Sequence, residues 1–375
     1  MAKQQLAAVI NKYNDDDPSA SLKIIQKDVP SDLKDGEVLV RMMLRPINPS
    51  DMFCMRGRYG GFKPKSLPAV PGLEGLGVVA KLGPKTGDRV KEGQRVVAVP
   101  WPTAEGEGTY QQYVATPEKN LVVVPDNVDD DMAAQFLINP VTAYGFLEVI
   151  KVPEGKYLLQ QAANSVLGKE LICMAQKRGT KTINLVRRHE VVDELKQLGA
   201  EEVLVTTDED VVDRVMQITD GEGAWASINP IGGEASRYLP ACTRVGGKVH
   251  VFSLFKEEVI VPMFDLHFRK IQVQGFWLSQ WLEGLPSDQA RQEVFEQVMK
   301  FFADGTIQPP HASKDAESSW CTMLLQLLLS RYVYWKPSVG HKVVKNSSSC
   351  IPENLSLHMT FAGSKHIQSS KYIQS

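Results

Sequence analysis

The stretch QQAANSVLGKE, Gln160 to Glu170, decides the fold. It closes a short apolar run, KYLLQQ, and opens a segment with Leu171, Met174 and Ala175 at helical spacing. That spacing predicts a buried strand, a turn and a helix over Lys169–Arg178, stopped by Gly179. In a dinucleotide-binding turn one glycine makes the tight turn, a second admits the pyrophosphate, and a third lets helix and strand pack closely. Ala162, Asn164 and Gly168 occupy that region here, so glycine meets only the third requirement. Asn164 and Ser165 offer side-chain and backbone donors to an anion at the helix N-terminus. An ordinary strand-to-helix turn capped by Asn or Ser reads equally well from these residues alone.

The pattern continues outward. KTINLVRR is the next strand, followed by a helix with Val191, Leu195 and Leu198 on one face and Gly199 past its end. EEVLVTT and a helix carrying Val211, Val215 and Ile218 repeat the unit, and AWASIN and KVHVFS extend the sheet. Strand and helix in alternation define an α/β fold, a doubly wound parallel sheet of Rossmann type. The residues at the end of its second strand select the nucleotide. An acidic side chain about 20 positions after the turn would accept hydrogen bonds from the ribose of NAD. This chain has Arg187, Arg188 and His189 there, and cations favour the 2′-phosphate of NADPH, although a solvated basic strand end has the same composition.

Before this fold, from about Gly36 to Val124, the pattern differs. GEVLVRMML, EGLGVVAKLG, GQRVVAV and NLVVVP are short apolar runs broken by Gly and Pro, which predict a β-rich, barrel-like domain. A chain of 375 residues is expected to form about two domains. Its 42 Lys plus Arg against 44 Asp plus Glu supply no bulk charge for nucleic acid or a membrane surface. The longest strongly apolar run, MLLQLLL, falls far short of a membrane span. Five scattered cysteines show neither a disulfide framework nor zinc-ligand spacing, which fits a reducing compartment. The N-terminus lacks a secretory core, and Asp15, Asp16 and Asp17 are unlike an organellar transit peptide.

Four further stretches carry a resemblance: RPINPSD (Arg45 to Asp51), PGLEGLGVV (Pro71 to Val79), INPVTAY (Ile138 to Tyr144) and GFWLSQW (Gly275 to Trp281). With the domain order, they resemble the medium-chain dehydrogenase/reductase superfamily, and within it the trans-2-enoyl-CoA (enoyl-thioester) reductases, usually mitochondrial in eukaryotes. The resemblance implies a GroES-like catalytic domain over residues 1–140, an NADPH-binding Rossmann domain over 141–279, and a return to the first domain over 280–344. Residues 345–375, Ser-rich and weakly periodic, are expected to be a disordered tail. It further implies a homodimer, an enoyl-CoA or enoyl-acyl carrier protein substrate, and a mitochondrial matrix location that this N-terminus does not itself announce.

Zinc can be judged by position. Zinc alcohol dehydrogenases of the superfamily use the histidine of a Gly-His-Glu segment as a metal ligand; here the segment is Gly72, Leu73 and Glu74, and leucine cannot ligate. Without that partner Cys54 reads as a buried apolar side chain. A zinc-free reaction is therefore expected. Reduction of an α,β-unsaturated thioester needs a hydride at the β-carbon and a proton at the α-carbon. The resemblance gives the proton to Tyr59 in RGRYGGF, a phenol that stays protonated at neutral pH; by itself, a Tyr between glycines also reads as a loop anchor.

The remaining implied cofactor residues are Asn139; Asn164, Ser165, Val166, Leu167 and Gly168 in the pyrophosphate turn; Arg187 and His189 at the 2′-phosphate; Phe252 in FSLF; Phe276, Trp277, Leu278 and Ser279 beside the nicotinamide; and Lys342 in the last strand. Val166 stands where the family has a small glycine, and Ser253 and Leu254 depart from an aromatic followed by two glycines. Trp277 also reads as plain core. After Lys314, DAESSWCTMLLQLLLSRYVYW lacks the expected amphipathic pattern. Two other functions fit the same residues: an NADPH:quinone oxidoreductase, which needs no tyrosine acid, and a non-catalytic NADPH-binding protein.

Overall fold

The computed structural model describes residues 3–253 and 255–307. Leu254, Lys342 and the whole C-terminal region expected to return to the first domain beyond residue 307 lie outside the described residues.

The chain opens with a hairpin, β1 (Gln4–Ile10) and β2 (Leu22–Asp28), paired antiparallel from Gln4↔Asp28 to Ile10↔Leu22. Ala7, Ala8, Val9 and Ile10 are all buried. β3 (Glu37–Leu44), β4 (Leu76–Leu82), β5 (Arg95–Ala98), β6 (Tyr113–Pro117) and β7 (Leu121–Val123) form an antiparallel sheet in the order β6-β3-β4-β5-β7. Val38, Val40 and Met42 alternate onto its inner face, where they meet Val79, Val96 and Trp101, as a period of two requires. α1 (Pro49–Arg56) branches from the end of β3.

The connection to the second sheet runs through α2 (Asp130–Ala134), a π-turn at Leu137–Val141 and α3 (Thr142–Ile150). Pro140 lies inside the π-turn, where its missing N–H removes a helical bond and widens the turn. The second sheet contains β8 (Tyr157–Gln160), β9 (Lys181–Val186), β10 (Glu202–Val205), β11 (Ala224–Asn229), β12 (Thr243–Val251) and β13 (Gln272–Gly275), all parallel, in the order β10-β9-β8-β11-β12-β13. That is the doubly wound order with its switch point between β8 and β11, where the strand ends open a ligand crevice. α4 (Val166–Lys177), α5 (Val192–Gln197), α6 (Val211–Ile218), α7 (Leu239–Cys242) and α8 (Met263–His267) make the crossovers. α9 (Leu278–Glu283) and α10 (Asp288–Ala303) follow the last strand.

One apolar cluster joins the lobes. Leu44, Leu76 and Val97 of the first sheet share it with Phe146, Leu158 and Leu171 of the second and with Phe295 and Phe302 of α10. Phe136 meets Phe302 edge-to-face at 6.0 Å, and Asn127 Nδ2 donates to the Ala303 carbonyl at 2.9 Å. α10 therefore packs back onto the segment that leaves the first domain, which fixes how the two sheets face each other.

Candidate active site

The turn after β8 is built without the usual first two glycines. Ala162 takes the left-handed conformation itself, with φ of 51°. The Ser165 N–H donates to the Ala162 carbonyl at 2.9 Å, and Ser165 Oγ accepts from the Gly168 N–H at 3.1 Å. This cap starts the helix at Val166, three residues before the apolar spacing predicts. Gly168 has the third glycine's task, because a Cβ there would lie 2.5 Å from the Ala163 carbonyl oxygen. Gln160 Nε2 donates to the Gly168 carbonyl at 3.0 Å and to Asn184 Oδ1 at 2.8 Å, fastening the turn to β9. The cap occupies the Gly168 N–H, while Asn164, Ser165 and Val166 remain partly accessible. A pyrophosphate fits this half-exposed helix N-terminus, reached through the N–H groups of Val166 and Leu167.

Arg187, Arg188 and His189 are exposed just beyond β9. His189 Nε2 is paired with Asp208 at the end of the neighbouring strand. Neither Arg187 nor Arg188 has an ion pair among the described residues, so Arg187 is available to a phosphate while His189 is held.

Tyr59 lies two residues beyond the Gly57 that ends α1. Its phenol is largely withdrawn from water, and burial, its largest influence, pushes its pKa up; hydrogen-bonding side chains from Trp277 and Ser279 oppose that shift, and the nearby Cys54 and Asp51 add to it. Trp277 and Ser279 belong to the other domain, at the start of α9. The indole is 42% exposed, which overturns the core reading of Trp277: it projects over Gly60 and Gly61 instead. A Cβ built on Gly61 would lie 2.9 Å from Tyr59 Cε1 and 3.4 Å from Trp277 Cζ2, so both rings flank that glycine.

Phe276 and Phe252 sit differently. Both rings pack on Phe146, at 4.4 and 5.2 Å between centroids, and Phe276 is 8% exposed. The Phe276 side chain is core, which leaves its backbone groups to face a cofactor, while Phe252 is half-buried at the edge of the same cluster. Leu278 is half-buried against the same core. Asn139 is 8% exposed within the π-turn.

Beneath Tyr59 lies a polar network that the sequence reading missed. Glu74 is 2% exposed; its Oε1 accepts from Asn48 Nδ2 at 2.7 Å, and its Oε2 accepts from the N–H groups of Leu137 at 3.0 Å and Ile138 at 2.9 Å. Asp51, fully buried, accepts from the Asn48 N–H at 2.8 Å, and the buried Tyr110 hydroxyl nearby donates to the Pro46 carbonyl at 3.5 Å. Burial pushes both carboxyls up to about 7 against these hydrogen bonds. The available signal was a carboxylate beside or within an apolar run, Asp51 immediately before MFCM and Glu74 inside PGLEGLGVV, since buried carboxylates are rare unless partnered. Cys54 is buried in the apolar cluster with Leu73 packed against it, and burial pushes its thiol up. A neutral thiol beside leucine is a poor zinc donor set.

The fold defines a class: an oxidoreductase of the zinc-free medium-chain dehydrogenase/reductase type. Residues 34–126 match the model of the alcohol dehydrogenase GroES-like domain, and residues 167–304 match that of the zinc-binding dehydrogenase family. The mitochondrial enoyl-[acyl-carrier-protein] reductase of Dictyostelium discoideum is 32% identical over 291 residues, 75% of this chain and 80% of that protein. A putative NADPH:quinone reductase from Bacillus thuringiensis superimposes with a TM-score of 0.81 at 27% identity, covering 92% of this chain and 100% of the other. The mitochondrial 2-enoyl thioester reductase heterodimer from Candida tropicalis shares the fold, with a TM-score of 0.78 at 20% identity over 92% and 100% of the two chains. The chain belongs to the family of the mitochondrial enoyl-acyl-carrier-protein reductases.

Proposed function

We propose that the protein reduces trans-2-enoyl thioesters, carried on CoA or acyl carrier protein, to saturated acyl thioesters with NADPH, within mitochondrial fatty acid synthesis. The observation that carries this reading is the meeting of Tyr59 with Trp277 and Ser279 across the crevice. A bound reduced nicotinamide supplies the hydride that goes to the β-carbon. The chain's own residues do the rest. Electron density moves from the double bond toward the thioester oxygen, and the Tyr59 O–H bond breaks as the proton passes to the α-carbon. Burial keeps the phenol protonated until that moment, and the donors from Trp277 and Ser279 stabilise the phenolate that is left. Such a positioned acid contributes on the order of 10²- to 10⁴-fold.

The likeness to the Bacillus thuringiensis protein favours a second reading, reduction of a quinone in the same crevice. That reaction delivers no proton to carbon and needs no tyrosine acid. NADPH oxidation measured against enoyl-CoAs of increasing length and against a soluble quinone, with NADH as control, separates the two: turnover of enoyl-CoA above quinone supports the first, and the reverse sinks it.

A homodimer belongs to the same reading. β13 is exposed along its whole length at the edge of the second sheet, and Met263, Phe264 and Phe268 beside it are 74%, 63% and 69% exposed. An edge unpaired among the described residues, next to exposed apolar side chains, suits pairing with the same edge of a second copy about a twofold axis.

A further inference from the structure

We propose that Glu74 is a positioning residue for the reduction, coupling the segment that carries Tyr59 to the segment that carries Asn139; this rests on the assignment of Tyr59 as proton donor. The two segments are far apart in sequence and come from different ends of the first domain. Asn48 is the N-cap of α1, the helix that leads through Gly57 to Tyr59, and its side-chain amide donates to Glu74 Oε1 at 2.7 Å. The other carboxyl oxygen receives the N–H groups of Leu137 and Ile138 at 3.0 and 2.9 Å. These open the π-turn that holds Asn139, and a turn's first N–H groups have no partner within it. A single carboxylate, 2% exposed, thus satisfies both segment starts.

The start of α1 is held at both its backbone and its side chain: Asp51 accepts from the Asn48 N–H at 2.8 Å, while Glu74 takes the side-chain amide of the same residue. Displacing one segment therefore drags the other. No basic side chain makes an ion pair with Glu74 or Asp51 among the described residues, so neither carboxyl is there to neutralise a cation. What Glu74 contributes is acceptor geometry. A glutamine can reproduce it: its carbonyl faces Leu137 and Ile138, and its amide donates to the Asn48 carbonyl after that side chain flips.

The test combines Asn48→Ala, Glu74→Leu and Glu74→Gln with Tyr59→Phe, reading kcat on crotonyl-CoA, NADPH affinity by fluorescence, and thermal unfolding. Asn48→Ala cuts only the α1 arm, and is expected to lower kcat by about tenfold with NADPH affinity within about twofold of the parent. In the Tyr59→Phe background the same change is expected to cost almost nothing further, because the interaction it served is gone. Glu74→Leu cuts both arms and is expected to weaken NADPH binding as well, while Glu74→Gln restores both readouts to within about threefold. Equal kcat losses from Asn48→Ala in the two Tyr59 backgrounds, or a Glu74→Gln variant as damaged as Glu74→Leu, overturn the inference. Should Glu74→Leu fail to fold, the Asn48→Ala cycle and Glu74→Gln decide alone. A Tyr59→Phe variant with full turnover instead overturns the assignment of the donor, and the inference with it.

Discussion

Tyr59 and Trp277 come from different domains and flank the same glycine, Gly61, whose missing side chain leaves room for both rings. A Cβ there would lie 2.9 Å from Tyr59 Cε1, closer than side-chain contacts allow, and the backbone at Gly61 is not in the left-handed region. Gly61→Ala is therefore expected to fold and to push the phenol out of line. Misplacement of a reacting group by about 1 Å can cost on the order of 10²-fold. Steady-state kinetics should show kcat falling by about that order, with thermal stability near the parent's; unchanged kcat would mean the phenol's placement is not critical.

Arg187 is exposed and has no ion pair among the described residues, whereas its neighbour His189 is tied to Asp208. A guanidinium hydrogen bond to phosphate contributes about 1.5–3 kcal/mol, or roughly 10- to 150-fold. Arg187→Ala should weaken NADPH binding by that factor and leave NADH binding unchanged, as isothermal titration would register. Equal losses for both nucleotides would place the 2′-phosphate elsewhere.

Much of this was legible in the sequence because its causes are local. Apolar runs at strand length, helical spacing ended by Gly179 and Gly199, and cations after the second strand follow from neighbours a few residues apart. The turn at Ala162–Gly168 was readable in role but not in start, since the Ser165 cap rather than apolar spacing begins α4. β1 and β2 were missed: QQLAAVI has no alternation, because consecutive residues Ala7 to Ile10 are all buried. Tyr59 could be singled out only by resemblance, for nothing within RGRYGGF shows that Trp277 meets it. Glu74 escaped for the same reason, its partners lying 26 and 63–64 residues away.

Stability should depend on pH through the buried carboxyls. Asp51 and Glu74 are pushed up to about 7, above their unfolded values of about 4. Between those values the native state holds protons that the unfolded chain has lost, so stability falls as pH rises toward and through about 7, at up to about 1.4 kcal/mol per unit for each group. His250, pushed down to about 4 by burial, acts in the opposite sense below its unfolded value of about 6.5. The clean measurement is a difference: denaturant unfolding of the parent and of Glu74→Gln at several pH values from about 6 to about 8.5, where the parent should lose more stability than the variant. Parallel curves would show that Glu74 does not titrate in this range.

The exposed side chains of Met263, Phe264 and Phe268 and the edge of β13, unpaired among the described residues, predict where a second copy would pack. Phe264→Asp with Phe268→Asp places charges in that face and should convert a dimer to a monomer in sedimentation velocity, with the far-ultraviolet circular dichroism unchanged. A dimer that survives the pair would put its interface on another surface.

The most direct measurement is the turnover of Tyr59→Phe on crotonyl-CoA with NADPH, alongside its affinity for NADPH. A loss of on the order of 10²-fold or more in kcat, with nucleotide binding within about twofold of the parent, is the predicted result. Turnover equal to the parent's would contradict the assignment of the proton to this phenol.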